Sequence, residues 1–406
     1  MKTRLLDLLA GALLVFLAFA MNPVFLGWYF SPDGQTTGKS SFAMILLLEG
    51  FLVFFGILLI RFRGHAPWKA LFFSFAVCFL ILAGFFAWDF SAAYRSLFIR
   101  ENQETLMNVH KHDPELGWKP VPNVAARHIS RGVFDVRYEM DELGFKKVMR
   151  HENAVRNLYF FGDSFTFGAG VSNEETFPNV LASQHLSERV NVHNGGVMGY
   201  GILQMYLRYL SIEDRIEKGD IVAVTPITPD LKRGFETYFL AEGLLFDDPV
   251  NFRKRRYPRF RNGEVDFITF SSPRAVFEVL SAFAPRTGFI FTAVKNRMGW
   301  SALQQSHEIL NVMKTRVEAR GAHFVLAFLP MGNEMLSDRY EADLSGFEAV
   351  SLLPYFPHER EAVSKLEIPD DNHPSADGHR VIAAALARVF RERGLLSPED
   401  FKAGAS

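Results

Sequence analysis

The sequence predicts an α/β protein: three N-terminal transmembrane helices, then a doubly wound, mostly parallel sheet domain with an inserted subdomain. Three observations lead there. The first 90 residues hold three long apolar runs. From residue 155 onward, short apolar strands alternate with helical segments, the pattern of a parallel sheet covered by helices on both faces. Residues 235–300 break that alternation and read as an insertion.

Composition narrows the classes. The chain has 406 residues, enough for a large domain plus a further unit, since domains usually run to ~100–200 residues. A formal net charge of −1 shows no bias towards nucleic acid. The single cysteine, Cys78, excludes a disulfide framework and a multi-cysteine metal site. No cofactor and no metal is expected.

The apolar runs cover residues 5–29, 42–60 and 68–90, and each approaches the ~20 residues that cross a bilayer as a helix. The first is long and lacks the small-residue cleavage site of a signal peptide. Lys2 and Arg4 precede it, and Arg61, Arg63 and Lys69 lie between the second and third runs, whereas the loop at 31–40 holds only Lys39. Basic residues stay on the cytoplasmic side, so three crossings place everything after residue 90 outside the cytoplasm. Glu49 interrupts the second run. Residues 1–90 are thus the anchor.

Residues 91–154 follow as stalk and lead-in. The stretch 91–108 is polar and reads as helix. "HDPELGWKPVPN" at 112–123 and "DELGF" at 141–145 read as loop and short strand.

The α/β domain spans 155–394, with 395–406 as a tail. Residues 156–161 form its first strand, and 174–186 a helix that Asn173 or Ser172 is able to cap. Residues 190–194 are a strand, 202–212 a helix and 220–227 a strand. The insertion at 235–300 suggests a hairpin over 243–270 with a helix after it. A helix at 301–320, a strand at 323–330 and a closing helix at 376–393, with Ser375 as N-cap, complete the alternation. In doubly wound sheets, sites form outside the carboxyl ends of the strands.

That rule singles out "YFFGDSFTFGAG" at 159–170, which runs from strand into a glycine-flanked turn holding Ser164. A serine so placed needs a base to act as nucleophile. "IPDDNHPSADGH" at 368–379 offers His373, with Asp370 three residues before it and Asp371 two before. Either carboxylate is close enough to hold the imidazole in the required tautomer. "NGGVMGYG" at 194–201 is a glycine-rich turn whose backbone N–H groups suit a developing oxyanion. Asp163 suits bracing of the nucleophile turn. His379 fits packing within the closing helix.

Together these blocks resemble the SGNH, or GDSL-type, hydrolase family over about residues 155–394. Gly162-Asp163-Ser164-Phe165 is similar to the family's nucleophile block, with Phe in place of the usual Leu. Gly199 matches the glycine of its second block, and Asp370 with His373 matches its last. The lead-in at 112–145 and "GYGILQ" are similar to members encoded with exopolysaccharide genes. The resemblance implies a flavodoxin-like three-layer fold and a triad of Ser164, His373 and Asp370. It also implies an oxyanion hole from the N–H groups of Ser164 and Gly199. One departure stands out: the family's third block carries an asparagine where this chain reads "TPITPDL" at 225–231, and aligning Asp230 puts Pro229 in its place. Proline offers neither N–H nor polar side chain; the Thr228 hydroxyl is the nearby substitute.

Three function classes follow: an ester hydrolase acting on an acylated glycan or lipid, an O-acyltransferase using the same acyl-enzyme, and a non-catalytic glycan-binding or assembly protein. A multi-spanning acyltransferase or polysaccharide assembly machinery is the expected partner, and the expected location is the bacterial inner membrane with the α/β domain on the periplasmic or extracellular side. The basic run "FRKRRYPRFR" at 252–261 reads as a solvated loop or as a contact for anionic head groups or acidic glycan.

Overall fold

The structure is a computed structural model that describes residues 2–20, 39–62, 84, 103–104, 109–113, 115–130, 132–233, 256–261, 263–269, 302–330 and 347–404. The chain divides into two compact units: 1–100 with 273–301, and 101–272 with 302–406.

In the first unit, α1 (Lys2–Ala20) and α2 (Lys39–Arg61) pack together. Gly11 and Gly56 allow the approach. A Cβ on Gly11 would lie 2.6 Å from Gly56 O, and one on Gly56 would lie 2.7 Å from Val15 Cγ2. Leu9, Leu13, Phe16, Phe54 and Ile57 are exposed. Among the described residues no helix is long and apolar enough to cross a membrane. The third apolar run lies outside the described residues apart from Gly84.

The second unit opens with the lead-in, which is more structured than its composition suggests. β1 (Gln103–Glu104) pairs antiparallel with β4 (Ala125–Ser130), and β4 with β5 (Phe134–Glu139). A second ribbon joins β2 (His110–Asp113) to β3 (Gly117–Pro120). The short strand at Gln103–Glu104 replaces the helix expected there; the rest of the expected stalk, 91–102 and 105–108, lies outside the described residues.

The main sheet has five parallel strands. They are β6 (Arg156–Gly162), β7 (Val190–Asn194), β8 (Ile221–Thr225), β11 (His323–Phe328) and β12 (Val350–Ser351), in the order β12-β11-β8-β6-β7. Every residue of β8 is buried, as a strand covered on both faces must be. The chain leaves β6 for β7 on one side and then crosses to β8 on the other. The carboxyl end of β6 is therefore the switch point, where sites form in such sheets.

Helices cover both faces. α3 (Ser164–Phe167) follows β6, and α4 (Phe177–Val180) runs into a π-turn over Leu181–His185. The expected helix start at 174 is corrected: the N-cap is Thr176, and neither Asn173 nor Ser172 caps. Pro178 stands in the first turn, where proline's missing N–H costs nothing. Asn173 instead spans chain segments. Its side-chain amide donates to Glu139 O and Lys147 O, both at 2.9 Å, and its Oδ1 accepts from Glu139 N–H.

α5 (Ile202–Leu210), α6 (Ala302–Ala319), α7 (Arg360–Lys365) and α8 (Ala376–Glu392) complete the layers. Ser375 caps α8, accepting from Gly378 N–H. Of the expected insertion, the hairpin β9 (Arg256–Arg261) and β10 (Glu264–Thr269) is described. It places Arg259 opposite Asp266 and Arg261 opposite Glu264, so acidic positions face the basic run. Residues 243–255 of the expected hairpin, and the helix expected after it, lie outside the described residues.

Candidate active site

The site is built on the carboxyl end of β6. Gly162 closes the strand where only glycine fits: a Cβ there would stand 1.9 Å from Thr166 Oγ1 and 2.7 Å from Thr225 O. Asp163 is the N-cap of α3, its Oδ1 accepting from Phe165 N–H at 2.9 Å. Ser164 opens the helix, and Gly168, at φ 76°, ends it four residues later by donating back to Ser164 O. The two phenylalanines around the serine point to different cores. Phe165 packs in the main hydrophobic core, and Phe167 joins Val109, Tyr138 and Met140 from the lead-in.

His373 meets this serine from the turn before α8. Its Nε2 lies 2.8 Å from Ser164 Oγ, and its Nδ1 contacts Asp371 Oδ1. A carboxylate only accepts, so Nδ1 carries the proton and Nε2 accepts from the serine hydroxyl. The acid partner is therefore Asp371; the expectation of Asp370 is corrected.

The backbone supplies the reason. The 368–373 turn is closed by Ile368 N–H to His373 O at 2.7 Å and by Asp371 N–H to Ile368 O at 3.2 Å. Within it, Asp370 and Asn372 both take left-handed backbone, at φ 62° and 67°, which Asn and Asp tolerate better than most residues. Asp370 is exposed, while Asp371 is partly covered beside His373. Burial raises the Asp371 carboxyl, but the hydrogen bond and charge of His373 outweigh it and hold the group below its ordinary 3.8. His379 is fully buried in α8, where its Nδ1 accepts from Phe177 N–H at 3.1 Å. Burial drives it down to about 3, so it stays neutral.

Behind Ser164 sits a buried charge cluster that the sequence reading did not assemble. Arg233 Nη1 reaches Asp163 Oδ2 at 3.2 Å and also contacts Asp230. Both carboxylates are fully buried. Asp230 Oδ2 also accepts from Ile227 N–H at 2.9 Å. Burial first, and then the charge of Asp163, pushes Asp230 well above the usual carboxylate range, against the pull of Arg233.

Two candidate oxyanion donors lie at this edge. No acceptor among the described residues takes the N–H of Ser164 or of Gly199. Gly199 has φ 79°. Pro229 is exposed in the 3₁₀ turn Thr228–Lys232, and the neighbouring Thr228 Oγ1 is buried with no hydrogen-bond partner among the described residues. Among the described residues, no group of three His, Cys, Asp or Glu is placed to hold a metal ion.

The lead-in, to which the sequence reading assigned no chemistry, frames the site. Lys146 is buried among aromatic rings, with Nζ 4.1 Å from the centre of Tyr138, and it donates to Gly168 O and Val171 O just past the serine helix. Burial holds its amine well below the ordinary 10.5, with Glu174 and Glu175 opposing. Tyr138 OH accepts from Gly170 N–H at 2.8 Å and lies 2.9 Å from His128 Nδ1. Gln204 Nε2 donates to Leu116 O at 2.7 Å, and Tyr200 OH to Trp118 O at 2.6 Å.

No protein-family model matches this chain, and no curated protein matches it. Among solved structures it is similar to TesA, at 13% identity over 59% of this chain and 99% of that one, with a TM-score of 0.33. It is also similar to a member of the lipolytic protein G-D-S-L family from Veillonella parvula, at 11% identity over 58% and 99% of the respective chains, with a TM-score of 0.31. At these identities and scores the likenesses assign no function to this chain.

Proposed function

We propose that this protein is a serine-dependent acyl-ester hydrolase acting outside the cytoplasm on an acylated surface glycan or lipid. The observation that carries the reading is the continuous hydrogen-bonded line from Ser164 Oγ through His373 to Asp371, the arrangement that turns a hydroxyl into a nucleophile.

The steps follow from that geometry. Ser164 Oγ attacks the acyl carbonyl while His373 Nε2 takes its proton. Asp371 stabilises the imidazolium and keeps its proton at Nδ1. The N–H groups of Ser164 and Gly199 receive the oxyanion. On collapse the alcohol leaves with the proton from Nε2. Water, deprotonated by the same nitrogen, then releases the acid and restores the serine. A sugar hydroxyl in place of water makes the same acyl-enzyme an O-acyltransferase, with identical protein groups.

The first test is chemical. A serine-directed fluorophosphonate is expected to add its mass to Ser164 alone, located by peptide mass spectrometry. Absence of any adduct would leave the non-catalytic glycan-binding reading. Supplying an acetyl ester with an oligosaccharide acceptor then separates water from sugar as the acceptor.

The location rests on the sequence: three apolar runs, with Lys2, Arg4, Arg61, Arg63 and Lys69 marking the cytoplasmic side. Alkaline phosphatase fused after Ser406 is expected to be active, and green fluorescent protein at the same place to be dark. The opposite pair of results would favour a cytoplasmic lipid or metabolite esterase.

A further inference from the structure

The Gly199 N–H is useful to an oxyanion only if its peptide faces the reacting serine, and a glycine turn does not guarantee that. Residues 197–200 form a β-turn closed by Tyr200 N–H to Val197 O at 3.2 Å. Its central peptide joins Met198 to Gly199. The two commonest turn types differ by a flip of this central peptide: the third residue has φ near −90° in type I and near +80° in type II. Gly199 has φ 79°, and Met198 is not among the residues with positive φ, so the turn is type II. Glycine takes either sign of φ with similar ease. Gly199 thus permits the type II setting without excluding the type I one.

A residue 80 positions away in sequence holds the peptide in one setting. Trp118, buried in β3, donates its indole Nε1–H to Met198 O at 2.9 Å. In a trans peptide the C=O and the following N–H point in opposite directions. Holding Met198 O against the indole thus turns the Gly199 N–H away from it, and that N–H has no acceptor among the described residues. The same residue grips the end of the turn, because its backbone O accepts from Tyr200 OH at 2.6 Å. The two rings also meet edge to face, with centroids 5.5 Å apart.

We infer that Trp118 is a positioning residue for acyl transfer: its indole N–H latches the Met198–Gly199 peptide in the setting that presents the Gly199 N–H to the oxyanion. The inference rests on the serine-hydrolase reading above. It explains why a lead-in strand lies beside a catalytic turn. Flipping the peptide would cost Met198 O its indole partner and remove one donor from the hole. It would leave the bond closing the turn, and the line from Ser164 to Asp371, in place.

The test removes the donor and keeps the ring. Replacing Trp118 with benzothienylalanine, which puts sulfur in place of the indole N–H, is expected to lower kcat on an acetyl ester ~10-fold or more. That is part of the ~10²–10³ lost with a whole oxyanion donor. KM should stay within about twofold, since the donor acts on the transition state. Trp118→Phe should follow the same split, with a larger loss from its smaller ring. A second reading is structural: a crystal structure of the benzothienylalanine protein should show Gly199 moving to negative φ. If the wild type has Ser164-dependent turnover and the benzothienylalanine protein matches its kcat, the latch is overturned. If KM rises while kcat holds, Trp118 serves binding and the latch is likewise overturned. If the wild type shows no Ser164-dependent turnover, the hydrolase reading fails by itself. The turn then decides the latch: negative φ at Gly199 supports it, and retention of φ near 79° overturns it.

Discussion

Ser164→Ala is expected to lower kcat for ester cleavage by ~10⁴–10⁶, the range seen when a triad serine is removed, with KM little changed. The hydroxyl is the only atom the substitution deletes. Among the described residues its hydrogen-bond partners are His373 Nε2 at 2.8 Å and, more weakly, Asp163 Oδ2 at 3.4 Å. Neither is part of the backbone ladder. The cap of α3 is supplied by Asp163 rather than by the serine, so the helix keeps its start and the thermal midpoint should move little. Some residual rate above water is expected, because the candidate oxyanion donors are backbone groups and survive the change. Steady-state kinetics beside a thermal melt separate lost chemistry from lost fold. A variant that hydrolyses as fast as the wild type would remove Ser164 from the mechanism.

The second expectation distinguishes two adjacent aspartates. Asp371→Asn should lower kcat by ~10⁴, as it does where a triad acid is neutralised without changing its shape. The amide would turn its NH₂ towards His373 Nδ1. That favours the tautomer with the proton on Nε2, which has no lone pair left to take the Ser164 proton. Asp370→Asn, on an exposed side chain, should change rates by no more than about twofold. A reversal of the two results would return the acid role to Asp370. The sign of the acid dependence follows from the folded carboxyl lying below 3.8. The stabilising contribution of Asp371 is complete above that value and is lost as pH falls through the lower, folded one. The Asn variant should lack that component in an acid titration of stability.

Much of the α/β frame was legible in the sequence. The strand expected at 190–194 is β7, and that expected at 156–161 is β6 with Gly162 added. Buried parallel strands are nearly unbroken apolar runs, which composition reveals directly. The closing helix and its Ser375 cap were legible for a similar reason: the capping bond spans only three residues. The lead-in was not. Its bonds to the site join Trp118 to Met198, Leu116 to Gln204 and Lys146 to Gly168, and no local pattern reports partners so distant. The charge cluster of Asp163, Asp230 and Arg233 was missed because its members come from the ends of two different strands.

By itself, then, the sequence determined the alternation of the α/β domain and the edge of the sheet at which the candidate serine lies. It also determined the candidate histidine, because these depend on hydrophobic period and on residues confined to short blocks. Only the tertiary structure decided which of two neighbouring aspartates faces that histidine and which way the Met198–Gly199 peptide points. Asp370 and Asp371 are chemically identical, and glycine has no preferred sign of φ. The choice was made by contacts between segments: the hydrogen bonds that close the turn from Ile368 to His373, and an indole N–H delivered from a strand far back in the chain.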